Sequence, residues 1–480
     1  MMETSPRLVR IVLAAGLVAW VLNAAYLWGS AWTLGHDEAQ YAIAAQDLID
    51  GEPVRWNYLS VGMSLIAAPG VLAGGSALAL RLVPVLLGIA FVLVVARLAR
   101  SAFGAPAAAW SVAVLAASSA VAKRAAELLS DLPAATFLLA GTAILVTELT
   151  LEPSRSGGAA SEDRARFTSD PSGSGAPRRR LLLAAPCFAA AFYLRYGSIL
   201  AIGGIGAIAL LVGWPAVRRR PGLALATVAL FAALLVPFFR MSLAATGSAL
   251  GIFDESSVVL GDATPGQSLV TYATSNPFMY YGIVTTPVLL AGLASIYRAR
   301  DRRVLMLWLM AVAHIVAIGL TPIAQSRYLF FGLTLLVILG ADTLERWARS
   351  RPPRMRRALG ACAAVAIAAS WLLVVIIAQR GGRARDLRMA PTLAAADAIR
   401  GDAHGARCQV IGRHTTQLQW FAGCVAVYEA PPEELRRTRV YVVIEPGGMY
   451  QPDLAGHPGV RHPILDRPGV ITVTRLDPLP

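Results

Sequence analysis

Three ionisable residues stand side by side in "LGHDEAQYAIAAQDLIDG": His36, Asp37 and Glu38, directly after the first strongly apolar run. Adjacent carboxylates beside a bilayer are either helix caps or working groups. A carboxylate can take a proton from an attacking hydroxyl. Cations placed where negative charge develops can stabilise a departing phosphate. Candidates for the second role recur along the chain. "VAKRAAELLSDLPAA" carries Lys123, Arg124, Glu127 and Asp131, and "YLRYGS" carries Arg195 and Tyr196. Arg240 ends another apolar run, and "TPIAQSRY" holds Arg327. The cations among them, Lys123, Arg124, Arg195, Arg240 and Arg327, are expected to form a binding site for an anion such as a lipid phosphate or pyrophosphate, with Glu127, Asp131 and Tyr196 beside it.

The elements that must position these residues are membrane spans. Of the 480 residues 56% are hydrophobic and only 15% charged, with a mean hydropathy of +0.58. Soluble domains carry roughly 25% charged residues, and a span takes about 20 apolar residues. Eleven spans are expected, at about 9–29, 80–97, 106–122, 132–149, 181–196, 198–214, 222–242, 279–297, 304–320, 328–345 and 358–378. The net charge of +14 does not indicate nucleic acid, because the arginines cluster in short loops between apolar runs. With the N-terminus inside, "RLAR", the Arg-bearing segment 151–180, both "RRR" runs, "RARDRR" and "RSRPPRMRR" all fall on the cytoplasmic side. The first run lacks a cleavage site, so it reads as a span rather than a signal peptide.

The candidate site residues then fall on the outer side, where basic residues run against topological preference. A single interfacial arginine commonly snorkels to headgroups. The set, accompanied by carboxylates, favours a site. Asp37 with Gln40 three residues later also reads as a capping box opening a helix. Asp131 before Leu132-Pro133 suits a helix start. A cap does not explain why Glu38 follows Asp37, nor why Lys123, the sole lysine, sits four residues before Glu127.

Residues 1–380 read as a membrane domain and 381–480 as an exported α/β domain. The first outer loop, 31–79, carries interfacial or re-entrant helix around 58–75, and 151–180 reads as a disordered cytoplasmic loop. In the tail, alternating strands and helices imply a small parallel sheet, with His414 and its threonines capping a helix. Cys408 and Cys424 begin successive strands; a disulfide and two buried free thiols are both open. Cys187 and Cys362 lie in apolar spans.

"HDEAQYAIAAQDLIDG", "ELLSDLPAATFLLAG" and "SRYLFFGLTLLVILGAD" resemble the polytopic GT-C glycosyltransferases. Closest in pattern are the protein O-mannosyltransferases and the aminoarabinose–lipid A transferases of bacteria, over roughly residues 10–345. The resemblance implies a GT-C-like helical membrane fold in a bacterial cytoplasmic (inner) membrane. Its expected activity is transfer of a sugar, mannose or another pentose or hexose, from a polyprenyl-phosphate carrier outside the cytoplasm. The acceptor would be a hydroxyl on a glycan, lipid or protein. Asp37 would be the general base, with Glu38 binding the acceptor or orienting Asp37. Lys123 or Arg124 and Arg327 would stabilise the phosphate, and Asp131 would orient or bind substrate. Ala39 and Gln40 follow the acidic pair where some relatives have a basic residue, so no phosphate contact is carried over there. Arg195 rests on position and charge alone, as do Glu127, Tyr196 and Arg240 in substrate binding. No cofactor is required. A divalent metal on His36, Glu127 or His314 stays open, with no diagnostic spacing. The alternative is a transporter or flippase of lipid or lipid-linked sugar, which would place polar sites near the midplane, often in repeated halves.

Overall fold

The computed structural model describes residues 6–52, 59–150, 179–254, 266–275, 281–282, 284–321, 325–427, 438–445 and 460–477. Among these are eight helices long and apolar enough to cross a membrane. They are Pro6–Gly29, Ala77–Phe103, Asp131–Thr150, Ser198–Arg219, Pro221–Thr246, Arg302–Gly319, Arg327–Arg349 and Pro353–Ala403. A ninth position is a broken helix, Ala105–Ala116 and Ser119–Ala125, bent by 80°. The chain is therefore an α-helical polytopic membrane protein, with fewer unbroken crossing helices among the described residues than the eleven expected. The span expected at 181–196 is a 3-10 turn, Arg179–Leu183, running into the short helix Ala184–Leu194. The one expected at 279–297 lies partly outside the described residues, and what is described there is the nine-residue helix Thr286–Ala294. The loop expected at 151–180 also lies almost wholly outside the described residues.

Between the first two long helices the chain forms two shorter ones, His36–Asp50 and Val61–Leu72. The second is apolar but only 12 residues long, about 18 Å at the usual helical rise, which is too short to cross a bilayer. Gly62 lets it lie directly on the Tyr193 carbonyl, at a point where a Cβ would sit 2.6 Å from that oxygen.

The last long helix, Pro353–Ala403, runs unbroken across residue 380, where the composition changes, and leads into the tail domain. Its last turns pack through Ala395, Ala396 and Ile399 against a five-stranded sheet. The strands are β1 (Cys408–Ile411), β2 (Val425–Val427), β3 (Arg439–Ile444), β4 (Arg461–Arg467) and β5 (Ile471–Leu476), in the order β2-β1-β3-β5-β4. β1 pairs in parallel with β2 and β3, but β3–β5 and β5–β4 are antiparallel. The expected parallel sheet is thus a mixed one. The reason is local: "RPGV" makes a tight turn in which the Val470 N–H bonds to the Arg467 carbonyl and Gly469 takes φ +78°. A connection that short can join only antiparallel strands.

A disulfide joins Cys408 and Cys424, whose Cα atoms are 4.9 Å apart. It ties β1 to the chain entering β2. Cys187 and Cys362 are free. The helix expected at "PPEELRRT" lies outside the described residues apart from its last residue.

Candidate active site

The first turn of helix His36–Asp50 separates the fates of the two adjacent carboxylates. Its N-cap is Gly35, not Asp37. Glu38 is the third helical residue and reaches back to accept the Gly35 N–H at 2.8 Å, the return half of a capping box. The expected box on Asp37 and Gln40 is therefore displaced by two residues, and Asp37 carries no capping duty.

Glu38 is 1% exposed. Arg81, equally buried, donates to both its oxygens, from Nε at 2.7 Å and Nη2 at 2.8 Å. The Leu128 N–H adds a bond at 2.9 Å, so the side chain is fully engaged. Burial alone would raise the Glu38 carboxyl, but the charge and hydrogen bonds of Arg81, with Arg385 beside it, hold the group below its ordinary range.

Glu127 is the second buried carboxylate. It takes Arg124 Nη1 at 2.6 Å and Arg385 Nη2 at 2.6 Å, with Lys123 Nζ at 4.0 Å. Burial pushes its carboxyl up, yet Arg124, Arg385 and Lys123 together hold it at about 2. Arg385 also reaches Glu38 at 3.3 Å. Two buried anions and four cations, of which Arg81 is buried and the others partly exposed, thus form one network.

Asp37 stands outside that network. Its Oδ2 accepts from Arg327 Nη2 at 2.8 Å, and its side chain keeps 35% exposure. Arg327 Nε lies 3.4 Å from Asp131, an ion-pair distance at which the buried N–H has no hydrogen-bond acceptor among the described residues. Asp131 opens helix Asp131–Thr150 and is hydrogen-bonded to Arg195, whose guanidinium stacks 3.7 Å from the Tyr328 ring centroid. A cation over an aromatic face is attracted by the ring quadrupole.

A cavity of about 380 Å³ collects most of these residues. Asp37, Arg124 and Arg327 line it, together with the buried Glu38 and Glu127 and with His36, Arg385, Arg388 and His414. A second, much smaller cavity of about 20 Å³ is lined by Asp131, Arg195, His314, Arg327 and Tyr328. Arg327 belongs to both. Lys123 joins through Glu127 without lining either.

Two expected site residues are not brought in. Tyr196 accepts the Val61 N–H at 3.1 Å and packs in an aromatic cluster with Phe192 and Phe238. Arg240 is exposed and lines neither cavity. Glu38 is engaged on both oxygens, so its geometry is that of a strut rather than a group reaching for substrate. The metal candidates are also separate: His36 and Glu127 belong to the larger cavity and His314 to the smaller. Among the described residues no three His, Cys, Asp or Glu side chains gather to hold an ion. His414 occupies the N-cap position of helix Thr415–Ala422 without capping it. Its Nε2 lies 3.6 Å from Glu445 instead.

Sequence reasoning missed Arg81, Tyr328, Arg385 and Arg388. Arg81 was hidden at the start of an apolar run. For the other two arginines a signal existed: "RGGRARDLR" is a basic cluster beyond the last expected span, on the side expected from the sequence to be the outer one, where such clusters are disfavoured.

No protein-family model matches the sequence, and no curated protein matches it by sequence. Solved structures do match. ArnT from Cupriavidus metallidurans in the apo state superposes with a TM-score of 0.69 at 16% identity, over 98% of each chain. The same protein bound to undecaprenyl phosphate gives 0.66 at 17% identity, again over 98% of each chain. An Archaeoglobus fulgidus oligosaccharyltransferase tethered to an acceptor peptide gives 0.58 at 13% identity, covering 90% of this chain and 69% of the other. The likeness spans membrane helices and tail domain together, and the protein has an ArnT-like fold.

Proposed function

We propose that the protein is a membrane glycosyltransferase that takes a sugar from a polyprenyl-phosphate carrier and places it on a hydroxyl acceptor. The observation that carries this reading is Asp37: a partly exposed carboxylate facing a cavity, paired with an arginine that lines the same cavity. In the reaction Asp37 accepts the proton of the acceptor hydroxyl. The oxygen attacks the anomeric carbon from the face opposite the phosphate, the bond to the phosphate oxygen breaks, and configuration inverts. Arg327 and Arg124 stabilise the charge left on the carrier phosphate, with Lys123 behind them. Arg195 acts through Asp131, which shares Arg327. Glu38 orients Asp37 by fixing the first helical turn.

The solved relatives support the donor class: one is bound to undecaprenyl phosphate. They also bear on the acceptor side, since another holds an acceptor peptide. A relative is described in complex with Zn and sulfate, at TM-score 0.52. The chemistry proposed here needs no metal on this chain. The N-terminus lies in the cytoplasm, and the cavity and tail domain lie outside it. Residues 1–380 supply the membrane part and 381–480 the exported part. This orientation rests on the basic loops.

The test is sugar release from a panel of radiolabelled polyprenyl-phosphate sugars, with an envelope extract as acceptor. Wild type should turn over at least one donor, and Asp37→Asn should lose about 10²–10⁴-fold of that rate while still binding undecaprenyl phosphate. Undiminished turnover in the variant would sink the assignment of the base. Carrier movement without sugar release would favour a flippase.

A further inference from the structure

The tail domain is fastened to the segment that bears the candidate base. Gly382 of helix Pro353–Ala403 packs so closely on the Trp32 ring that a Cβ has no room. Asp386 Oδ1 accepts the Thr33 N–H at 2.8 Å. Thr416, from helix Thr415–Ala422, is 2.8 Å from His36 Nδ1. Trp420 and Phe421 of the same helix pack against the cluster formed by helices His36–Asp50 and Val61–Leu72. Residues 32, 33, 36 and 38 are all held from the tail side, and Asp37 lies between the last two.

Within this clamp one side chain does more than hold the domains together. Arg385 bridges Glu38, at 3.3 Å, and Glu127, at 2.6 Å. Glu38 fixes the turn that carries Asp37. Glu127 holds Arg124 and Lys123, the cations assigned to the donor phosphate. A planar guanidinium can serve two carboxylates at once, and an ammonium cannot do so with the same geometry. Resting on the function proposed above, we propose that Arg385 is a positioning residue: through it the exported domain sets the distance between the acceptor-activating carboxylate and the phosphate-binding cations.

Two consequences separate this role from simple docking. Misplacing reacting groups by about 1 Å can cost about 100-fold in rate, so a loss should fall on kcat rather than on donor KM. The second is a pH effect. Arg81, Lys123, Arg124 and Arg385 face the two buried carboxylates, and Asp37, His36 and Asp386 lie close by. Removing Arg385 leaves Glu38 and Glu127 repelling each other with one cation fewer. One of them should then bind a proton at a higher pH than in wild type.

The experiment compares wild type, Arg385→Gln, Arg385→Lys and Asp37→Asn. The exposed Arg383→Gln on the same helix serves as a control. Each is assayed for turnover of the donor that wild type accepts, over a pH series, with thermal unfolding as a check on folding. Arg385→Gln should lower kcat about 10- to 100-fold, change donor KM less than about threefold, and move the acid limb of the profile upward. Arg385→Lys should restore the pH profile and only part of the rate. If Arg385→Gln does not fold, the double variant Arg385→Gln/Glu127→Gln removes one charge of each sign; it should fold and remain slow. Wild-type kcat and pH profile in a folded Arg385→Gln protein, or in the double variant, overturns the inference while leaving the function intact, provided Asp37→Asn is dead. An active Asp37→Asn, or a wild type that turns over no donor, removes the function and this inference with it.

Discussion

Asp37 and Glu38 are neighbours in sequence, first-turn residues of one helix, and of one charge, yet they sit in opposite environments. Glu38 is sealed with Arg81, accepts two backbone N–H groups and shares Arg385 with Glu127. Among the described residues Asp37 has a single close cation, Arg327, and an open side. The closed network spends its hydrogen-bonding capacity on itself. The open one keeps some in reserve, on the partly exposed Asp37 carboxylate. Preorganised sites need both kinds: an expensive buried charge set that does not move, and a smaller set free to meet the substrate. The difference comes from register. Helical residues one apart point about 100° away from each other, so one faces the packed interior and the next faces the cavity.

The sharpest way to break this comparison is to attack the closed network. Replacing Arg81 by Met leaves Glu38 buried without its main cation, which should cost roughly 3–5 kcal/mol of stability, measured by denaturation in detergent. The double variant Arg81→Met/Glu38→Leu should recover most of that stability. It should not recover turnover, because the return bond to Gly35 is gone. Asp37→Asn should do the reverse, leaving stability nearly unchanged and removing activity.

Acid gives a graded version of the same test. The Glu38 and Glu127 carboxyls are depressed in the folded state, Glu127 to about 2. Stability contributed by a depressed carboxyl is fully present above its unfolded value and lost as pH falls through the folded value. Thermal unfolding should therefore show the closed network weakening from about 4.5 down to about 2. A flat melting temperature across that window would contradict the burial of these ions. The smallest effect is expected at the clamp's edge. Thr416→Ala removes one exposed hydrogen bond to His36, worth about 1 kcal/mol or less, and turnover should stay within about threefold.

Much of this was legible beforehand. Apolar run length placed a helix at each expected span, because bilayer thickness and helical rise leave little freedom. Asp37, Arg124, Arg327 and Asp131, which line the two cavities, were singled out because polar residues beside spans are costly and stand out. Hydropathy did not separate a crossing helix from the shorter Ala184–Leu194, since length at a turn depends on what packs there. The mixed sheet escaped notice because the signal for its antiparallel half is the single turn "RPGV".

Sequence by itself determined that this chain lives in a membrane, which residues are too polar to face lipid, and that a carboxylate and several arginines accompany one another. These are properties of side chains against solvent, and they need no partner to be read. Only the tertiary structure decided which of two adjacent carboxylates is locked and which is open. It also decided that Arg81 and Arg385, 43 and 347 residues away from Glu38, complete its surroundings. Charge pairing across such separations follows from where helices pack, and no local pattern encodes that.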